Sequence, residues 1–209
     1  MSGPAAGSAY DSPAAVAARA AACRTWSELA DAARRCTACP DLVRSRSTVV
    51  VGDAPAGSRV VFVGEAPGAE EDATGRPFVG RSGRLLDELL AEAGLDRAGV
   101  AVLNIVKCRP AGNRTPRAAE TASCSGWLNR QLGMLAPEFI FTLGLSAMKH
   151  FLGGGLSLAS ARGTVHEVPA GRLVATYHPS AALRFGPLGA PRTALREDLA
   201  TLAELLAGP

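Results

Sequence analysis

The sequence has no run of about 18 apolar residues, which is the length that a membrane-spanning helix needs. Its first residues also lack the positively charged start and the continuous apolar stretch of a secretory signal. We therefore expect a soluble, cytoplasmic protein without a membrane partner.

Lysine is scarce, and so is net charge. Of the 22 basic residues only Lys107 and Lys149 are lysines, and the net charge of +3 is too small to indicate nucleic-acid binding by itself. Arginine binds phosphate and carboxylate groups with two hydrogen bonds at once, but a genome-wide codon bias would produce the same excess. The charge balance therefore does not identify a partner.

The composition is sufficient for one folded domain. The 209 residues are 47% hydrophobic and 20% charged, which is ordinary for a globular chain. Residues 1–22 are rich in Ala, Gly, Ser and Pro, and we interpret them as a flexible N-terminal tail that could turn helical toward its end. Residues 23–209 are expected to form a single domain.

Apolar runs alternate with helical periodicity along this domain. Strands are predicted at residues 60–64, 100–106, 139–143 and 172–177. The alternation predicts an α/β fold whose mostly parallel four-stranded sheet is covered by helices on both faces. Ligands bind such sheets at the carboxyl ends of the strands. Unusual residues lie at those ends: residues 64–68 (GEAPG), Asn104 and residues 178–180 (HPS).

Five cysteines in a reducing compartment indicate metal or redox ligands before disulfides. Cys36 and Cys39 supply two thiolates from one turn. Cys108 follows a strand, and Cys124, separated from it by fifteen residues, lies in the next helix. Four such ligands fit a [4Fe-4S] cluster or a structural zinc ion. Free thiols beside a redox Cys-x-x-Cys pair are the remaining alternative, and Cys23 is interpreted as a spare thiol.

Four motifs carry a family resemblance: residues 64–68 (GEAPG), 75–80 (GRPFVG), 104–110 (NIVKCRP) and 178–180 (HPS). Together they resemble the family 4 uracil-DNA glycosylases, and the resemblance runs from about Cys36 to Leu206. The order and spacing of the four cysteines agree with the cluster ligands of that family. The resemblance implies a three-layer α/β/α sandwich, a [4Fe-4S] cluster rather than zinc, and hydrolysis of the N-glycosidic bond of uracil in DNA.

Residue roles follow from the resemblance, because a base in a duplex must leave the stack before it can be cut. Asn104 would match uracil O4 and N3–H while mismatching the amino group of cytosine. Phe78 would stack on the flipped base, and His178 would donate a hydrogen bond near O2, where negative charge develops. The other expected substrate contacts are Gly64, Ala66, Gly68 and Ser180.

The attacking water needs a separate assignment, because this family lacks the aspartate that positions water in the better-known uracil glycosylases. We expect Glu65 to line the pocket. Glu71, or else Asp72, would position the water or stabilise the developing oxocarbenium ion. The alternative is that residues 70–72 form a solvated acidic turn.

The expected partner is uracil-containing DNA, single- or double-stranded, bound by a monomer. Basic residues surround the second cysteine pair and indicate a segment that lies against DNA phosphates: Lys107, Arg109, Arg114 and Arg117. Leu183 is the candidate wedge that fills the vacated stack, and Arg184 is a candidate phosphate contact. A charged surface loop is the alternative for the basic segment.

Two other functions compete with this interpretation. One is a covalent uracil-DNA trap, which in a branch of the superfamily uses a histidine in an inserted basic loop. Residues 109–117 are short and contain no histidine, which disfavours a trap. The other is a noncatalytic iron–sulfur module that binds DNA, and the joint presence of Phe78, Asn104 and His178 disfavours it.

Overall fold

The computed structural model describes residues 11–208. In that range the strands are β1 (Val60–Gly64), β2 (Ala101–Asn104), β3 (Phe139–Leu143), β4 (Val165–Val168) and β5 (Gly171–Thr176). The helices are α1 (Pro13–Ala22), α2 (Trp26–Arg34), α3 (Pro40–Ser45), α4 (Ala69–Thr74), α5 (Arg81–Glu92), α6 (Ala118–Leu135), α7 (Leu145–Leu152), α8 (Leu158–Ala161), α9 (Pro179–Phe185) and α10 (Ala190–Ala207).

The strands form one sheet in the order β2-β1-β3-β5-β4. β2, β1, β3 and β5 are parallel, and β4 pairs antiparallel with β5 at the edge. All five residues of β1 are buried, as expected of a central strand that is covered on both faces. The register places Gly64 opposite Asn104 and Leu143 opposite Thr176, so four carboxyl ends meet at one edge.

Two hydrophobic cores lie on opposite faces of the sheet. Val61 and Val63 point toward the core that α1, α2, α6 and α7 cover. Val60 and Phe62 point to the core that α5, α9 and α10 cover. The predicted three-layer α/β/α architecture with a mostly parallel sheet is confirmed.

The predicted number of strands was wrong, because the sheet has five strands rather than four. Residues of β4 alternate between exposed and half-buried positions. A strand of this kind carries a polar sequence, here Val-His-Glu-Val, and lacks the continuous apolar run by which the buried parallel strands were recognised.

The end of the predicted flexible tail is also different from our expectation. Residues 1–10 lie outside the described range, but residues 13–22 form α1, which is capped by Ser12 and packs against α6. Val16 and Ala20 are buried in this contact. Gly126 of α6 permits the close approach, since a Cβ atom there would lie 2.8 Å from the Cα atom of Ala17. The Ala-rich composition reflects close helix packing, which composition alone does not distinguish from a mobile tail.

None of the helices within residues 11–208 has the length and hydropathy needed to cross a membrane.

Val16→Ala tests whether α1 is an integral part of the fold. The substitution removes two buried carbon groups and should lower the free energy of unfolding by about 2 kcal/mol, measured by urea denaturation. Val165→Ala, the same change at a half-exposed position of β4, should cost much less. Equal costs at the two positions would contradict the described packing of α1.

Candidate functional site

A cleft of about 460 Å³ opens at the carboxyl ends of β1, β2, β3 and β5. The structure brings nine of the predicted residues together in its lining: Glu65, Ala66, Gly68, Glu71, Phe78, Asn104, Arg114, His178 and Ser180. These residues are up to 115 positions apart in the chain, counted from Glu65 to Ser180 (180 − 65), and the parallel sheet is what collects them.

Asn104 is the last residue of β2 and is only 2% exposed. Its side-chain oxygen Oδ1 is buried and has no hydrogen-bond partner among the described residues. An unpaired buried carbonyl oxygen costs about 1–3 kcal/mol. The amide therefore retains an unused acceptor in the cleft, which a ligand with an N–H group could satisfy.

Phe78 lies against this amide because residue 64 has no side chain. A Cβ atom on Gly64 would be 2.6 Å from Asn104 Oδ1 and 2.6 Å from the Phe78 ring. Phe78 itself has a φ of +52°, a left-handed conformation that is strained for a non-glycine residue and recurs at functional sites. Its ring centroid lies 5.8 Å from that of His178. Ring, amide and imidazole thus share one small volume.

His178 immediately precedes α9 and acts as its N-cap. Its Nδ1 atom accepts a hydrogen bond from the backbone N–H of Ser180 at 3.1 Å and lies 2.8 Å from the Ser180 hydroxyl. Because Nδ1 is an acceptor here, the proton of a neutral ring is on Nε2. Burial lowers the pKa of His178 to about 4. The side chain is therefore a neutral donor at physiological pH, and Ser180 orients it.

The predicted carboxylates have different surroundings. Glu71 accepts hydrogen bonds from the backbone N–H groups of Gly68 at 3.1 Å and Gly80 at 2.8 Å, so it ties the two glycine loops together. Glu65 accepts a hydrogen bond from the Ser146 hydroxyl.

Asp72 is buried and accepts hydrogen bonds from the backbone N–H groups of residues 47 and 48, and it is absent from the cleft lining. The alternative that Asp72 positions water is wrong, because its carboxylate is directed to a different loop.

The four predicted ligand cysteines line one small cavity. Cys36 and Cys39 lie between α2 and α3, Cys108 follows β2, and Cys124 is in α6. Burial raises the pKa of Cys39 to about 11 and that of Cys124 to about 12, and it raises the pKa of Cys108 as well. Neutral thiols are favoured until a cation binds, as expected of ligands that lose their protons to a metal.

Two basic side chains approach these cysteines. Arg46 donates to Cys108 Sγ at 3.0 Å and to the Cys36 carbonyl at 2.7 Å. Lys107 is 1% exposed, and burial lowers its pKa to about 8. Its ammonium donates to the carbonyl oxygen of Asn104 at 2.9 Å. The prediction that Lys107 contacts DNA phosphates was wrong, because its charge points inward from the strand end.

The remaining basic segment is held in a defined conformation. Arg114 forms a two-pronged ion pair with Glu120, at 2.6 and 2.8 Å, and lines the cleft. Glu120 also accepts from the backbone N–H of Arg117 at the start of α6. Arg109 is half-buried and donates to the Asn113 side chain at 2.8 Å. These hydrogen bonds restrain the loop of residues 109–117, which borders the cleft. Phosphate contact by Arg109 and Arg114 remains a prediction.

The candidate wedge lies on α9. Leu183 is half-buried and packs against the core under α5 and α10, whereas Arg184 is exposed. Two apolar side chains that follow are much more exposed, Phe185 at 64% and Leu188 at 97%. The role of Leu183 remains a prediction, and these two neighbours have the accessibility that a wedge requires.

Several lining residues were missed by the sequence analysis: Ser82, Pro110, Asn113, Leu143, Gly144, Leu145 and Ser146. Residues 143–146 could have been found, because Leu143 ends β3, the next three residues follow it, and the carboxyl ends of parallel strands border the site. Ser82 and Asn113 carry no comparable sequence signal.

The chain is similar to known proteins over most of its length. A model of the Uracil DNA glycosylase superfamily matches residues 51–200. The Type-4 uracil-DNA glycosylase of Thermotoga maritima is 47% identical over 153 residues, which cover 72% of this chain and 79% of that protein. The Type-4 uracil-DNA glycosylase of Pyrobaculum aerophilum is 40% identical over 176 residues, which cover 80% of this chain and 87% of that protein.

The depressed pKa of His178 has a measurable consequence for stability. When the pH falls from about 6.5 toward 4, the unfolded chain binds a proton at this histidine before the folded chain does, so the free energy of unfolding should decrease. His178→Asn, which can still cap α9, should remove this part of the decrease. Urea denaturation of both proteins across this pH range tests it, and identical pH dependence would contradict a buried neutral imidazole.

Proposed function

This chain belongs to the uracil DNA glycosylase superfamily, and from that premise we propose that it flips uracil out of DNA and hydrolyses its N-glycosidic bond. The products are free uracil and an abasic site, so the reaction is the first step of base excision repair. The chain acts as a monofunctional DNA glycosylase, a hydrolase of N-glycosyl bonds.

The observation that carries the proposal is the unpartnered Oδ1 atom of Asn104. Uracil presents a donor at N3 and an acceptor at O4, and an asparagine amide complements both. Cytosine has an acceptor at N3 and a donor at the adjacent amino group, so it would meet the amide with like groups. With cytosine in the cleft the buried Asn104 amide would stay unpaired, and the free-energy cost of this would favour binding of uracil.

The reaction also requires stacking on the flipped base and stabilisation of the leaving uracil, and Phe78 and His178 are suited to these two roles. Base–aromatic stacking contributes about 1–3 kcal/mol, and the Phe78 ring lies beside the Asn104 amide. Cleavage leaves negative charge on the uracil ring. His178 would donate its Nε2 proton in a hydrogen bond to O2, and it needs no change of protonation state to do so.

Glu65 is the carboxylate we propose to hold the attacking water. It lines the cleft and receives one hydrogen bond from Ser146, which leaves further acceptor capacity on the carboxylate. Glu71 has each oxygen engaged by a backbone N–H group, which supports a role in shaping the glycine loops that contact base and sugar. Gly64, Ala66 and Gly68 contribute backbone to that contact.

The cofactor we propose is a [4Fe-4S] cluster bound by Cys36, Cys39, Cys108 and Cys124. The four thiols share one cavity, yet within residues 11–208 no three His, Cys, Asp or Glu side chains converge closely enough to hold a single metal ion. Cysteines that each bind a different iron of a cluster need not converge on one point. The indole Nε1 of Trp127, which lines the cavity, is buried without a partner among the described residues and could donate to a cluster sulfur.

When bound, the cluster would join the α2–α3 turn, the end of β2 and α6 without taking part in bond cleavage. Reduced thiolates are required for it, which supports a cytoplasmic location. We propose uracil-containing DNA, single- or double-stranded, as the partner of a monomer, with Arg109, Arg114 and Arg184 near the phosphates and an apolar wedge on α9 from Leu183 onward.

The described residues offer no comparable support for a covalent uracil-DNA trap or for a noncatalytic DNA-binding module. A covalent trap needs a histidine in the loop beside the cleft, and residues 109–117 contain none. His166 is in β4, where its Nε2 atom lies 3.0 Å from the Ala161 carbonyl, and it is absent from the cleft lining. A noncatalytic module would have no need of a strained Phe78 beside an unpaired Asn104 amide.

Release of free uracil from single- and double-stranded oligonucleotides tests the proposed function directly. At catalytic protein concentrations the chain should release uracil in excess of its own amount and leave cytosine-containing DNA intact. Asn104→Ala should slow single-turnover excision about 100-fold, because two hydrogen bonds to the base are lost. Asn129→Ala on the exposed side of α6 is the matched control and should be neutral.

The same reactions separate the rivals. A DNA adduct that survives denaturing electrophoresis would indicate a covalent trap. Binding without any uracil release would indicate a noncatalytic module. Either result would overturn the proposed function.

Arg46→Met tests the cysteine site independently of excision. Losing the hydrogen bonds to Cys108 and Cys36 should speed loss of the visible iron–sulfur absorbance in an iron chelator by about 10- to 100-fold. Arg44→Met, two residues away on the exposed side of α3, should behave like the unsubstituted protein. A colourless protein that contains zinc would contradict the cluster.

A further inference from the structure

Lys107 is a buried cation placed between the two sites of the protein. Its side chain is 1% exposed, and its ammonium has the carbonyl oxygen of Asn104 as a hydrogen-bond acceptor at 2.9 Å. Its own backbone N–H donates to Cys124 Sγ at 3.3 Å. One residue therefore contacts both the base-reading strand end and a cysteine of the proposed cluster.

A buried ammonium requires compensating negative charge. Among the described residues no carboxylate forms an ion pair with Lys107, although fourteen ion pairs occur elsewhere in that part of the chain. The described polar group that compensates burial of this ammonium is the carbonyl oxygen of Asn104.

The carbonyl that Lys107 engages belongs to the residue that reads the base. Beyond Asn104, Ile105 donates to the Gly64 carbonyl at 2.9 Å and Val106 to the Glu65 carbonyl at 3.1 Å. The peptide that follows Asn104 is therefore held from two sides, because its N–H, that of Ile105, donates to Gly64 and its carbonyl oxygen accepts from the Lys107 ammonium. Together the two hydrogen bonds restrain the backbone from which the Asn104 side chain projects.

We infer that Lys107 is a positioning residue for uracil recognition, which holds the Asn104 strand end in place from the side of the cysteine site. This inference rests on the proposed function and deepens it. Because the backbone N–H of Lys107 donates to Cys124 Sγ, the cysteine site would help to hold Lys107 in place for base reading. Lys107 itself does not touch the base.

The test compares Lys107→Met with Lys149→Met. Methionine removes the ammonium and keeps an unbranched side chain of similar length, and Lys149, the other lysine of the chain, is exposed on α7. Each folded variant is titrated calorimetrically with free uracil, a measurement that needs no turnover, and its iron content is determined. Lys107→Met should bind uracil at least about 10-fold more weakly, whereas Lys149→Met should match the unsubstituted protein.

A double-substitution cycle with Asn104→Ala separates positioning from general damage. If Lys107 acts through Asn104, adding Lys107→Met to Asn104→Ala should cost little further single-turnover excision rate. A cost of the same size in both backgrounds, or unchanged uracil affinity in Lys107→Met alone, would overturn the inference. If Lys107→Met does not fold, Lys107→Gln, a neutral and shorter donor, is measured by the same criteria.

Failure of the inference is distinguishable from failure of the proposed function. If the unsubstituted protein and Lys149→Met release uracil but Lys107→Met binds uracil as they do, only the inference is wrong. If the unsubstituted protein releases no uracil, the proposed function is wrong and the inference is lost with it.

Discussion

The cleft depends on the alignment of Gly64 with Asn104 in adjacent parallel strands. Because residue 64 has no side chain, the Asn104 amide and the Phe78 ring can occupy the space that a Cβ atom would take. A methyl group at this point would displace either the Asn104 amide or the Phe78 ring. The register of β1 against β2 and the absence of a side chain at Gly64 together create the space that the amide and the ring share.

The same strand end connects the cleft to the cysteines. After Asn104 the chain stays hydrogen-bonded to the Gly64–Glu65 segment for two residues and then reaches Lys107 and Cys108. The cysteine site and the Asn104 amide are therefore separated by only a few residues of one chain segment. Under the proposed function, a change at the cysteines would reach the amide through this segment.

The sequence predicted the position of a cleft residue where a side chain with suitable chemistry directly follows a predicted strand. Asn104 and His178 were placed at the site because they follow predicted strands, whose carboxyl ends meet in a parallel sheet. Phe78 lies in a loop and was named from the family resemblance. Lys107 was misassigned because a sequence shows that a charge is present but does not show which way it points. A helix toward the end of the tail was expected and is present, but its packing against α6 was not expected, because Ala-rich composition suits both a tail and a tightly packed helix. β4 was not counted because a half-exposed edge strand lacks a continuous apolar run.

Burial, and not the charge around the cleft, keeps His178 a neutral donor. Glu65 and Glu71 line the cleft, and Arg114 is already paired with Glu120. Carboxylates near the sugar would stabilise the positive charge that develops there as the bond breaks, whereas they would oppose the negative charge on the leaving uracil. An imidazole with its pKa held near 4 can donate to that anion without the desolvation cost of a buried imidazolium ion. Protonated His178 would also attract the two carboxylates and compete with the sugar for them, so burial of this ring keeps the two developing charges separately stabilised.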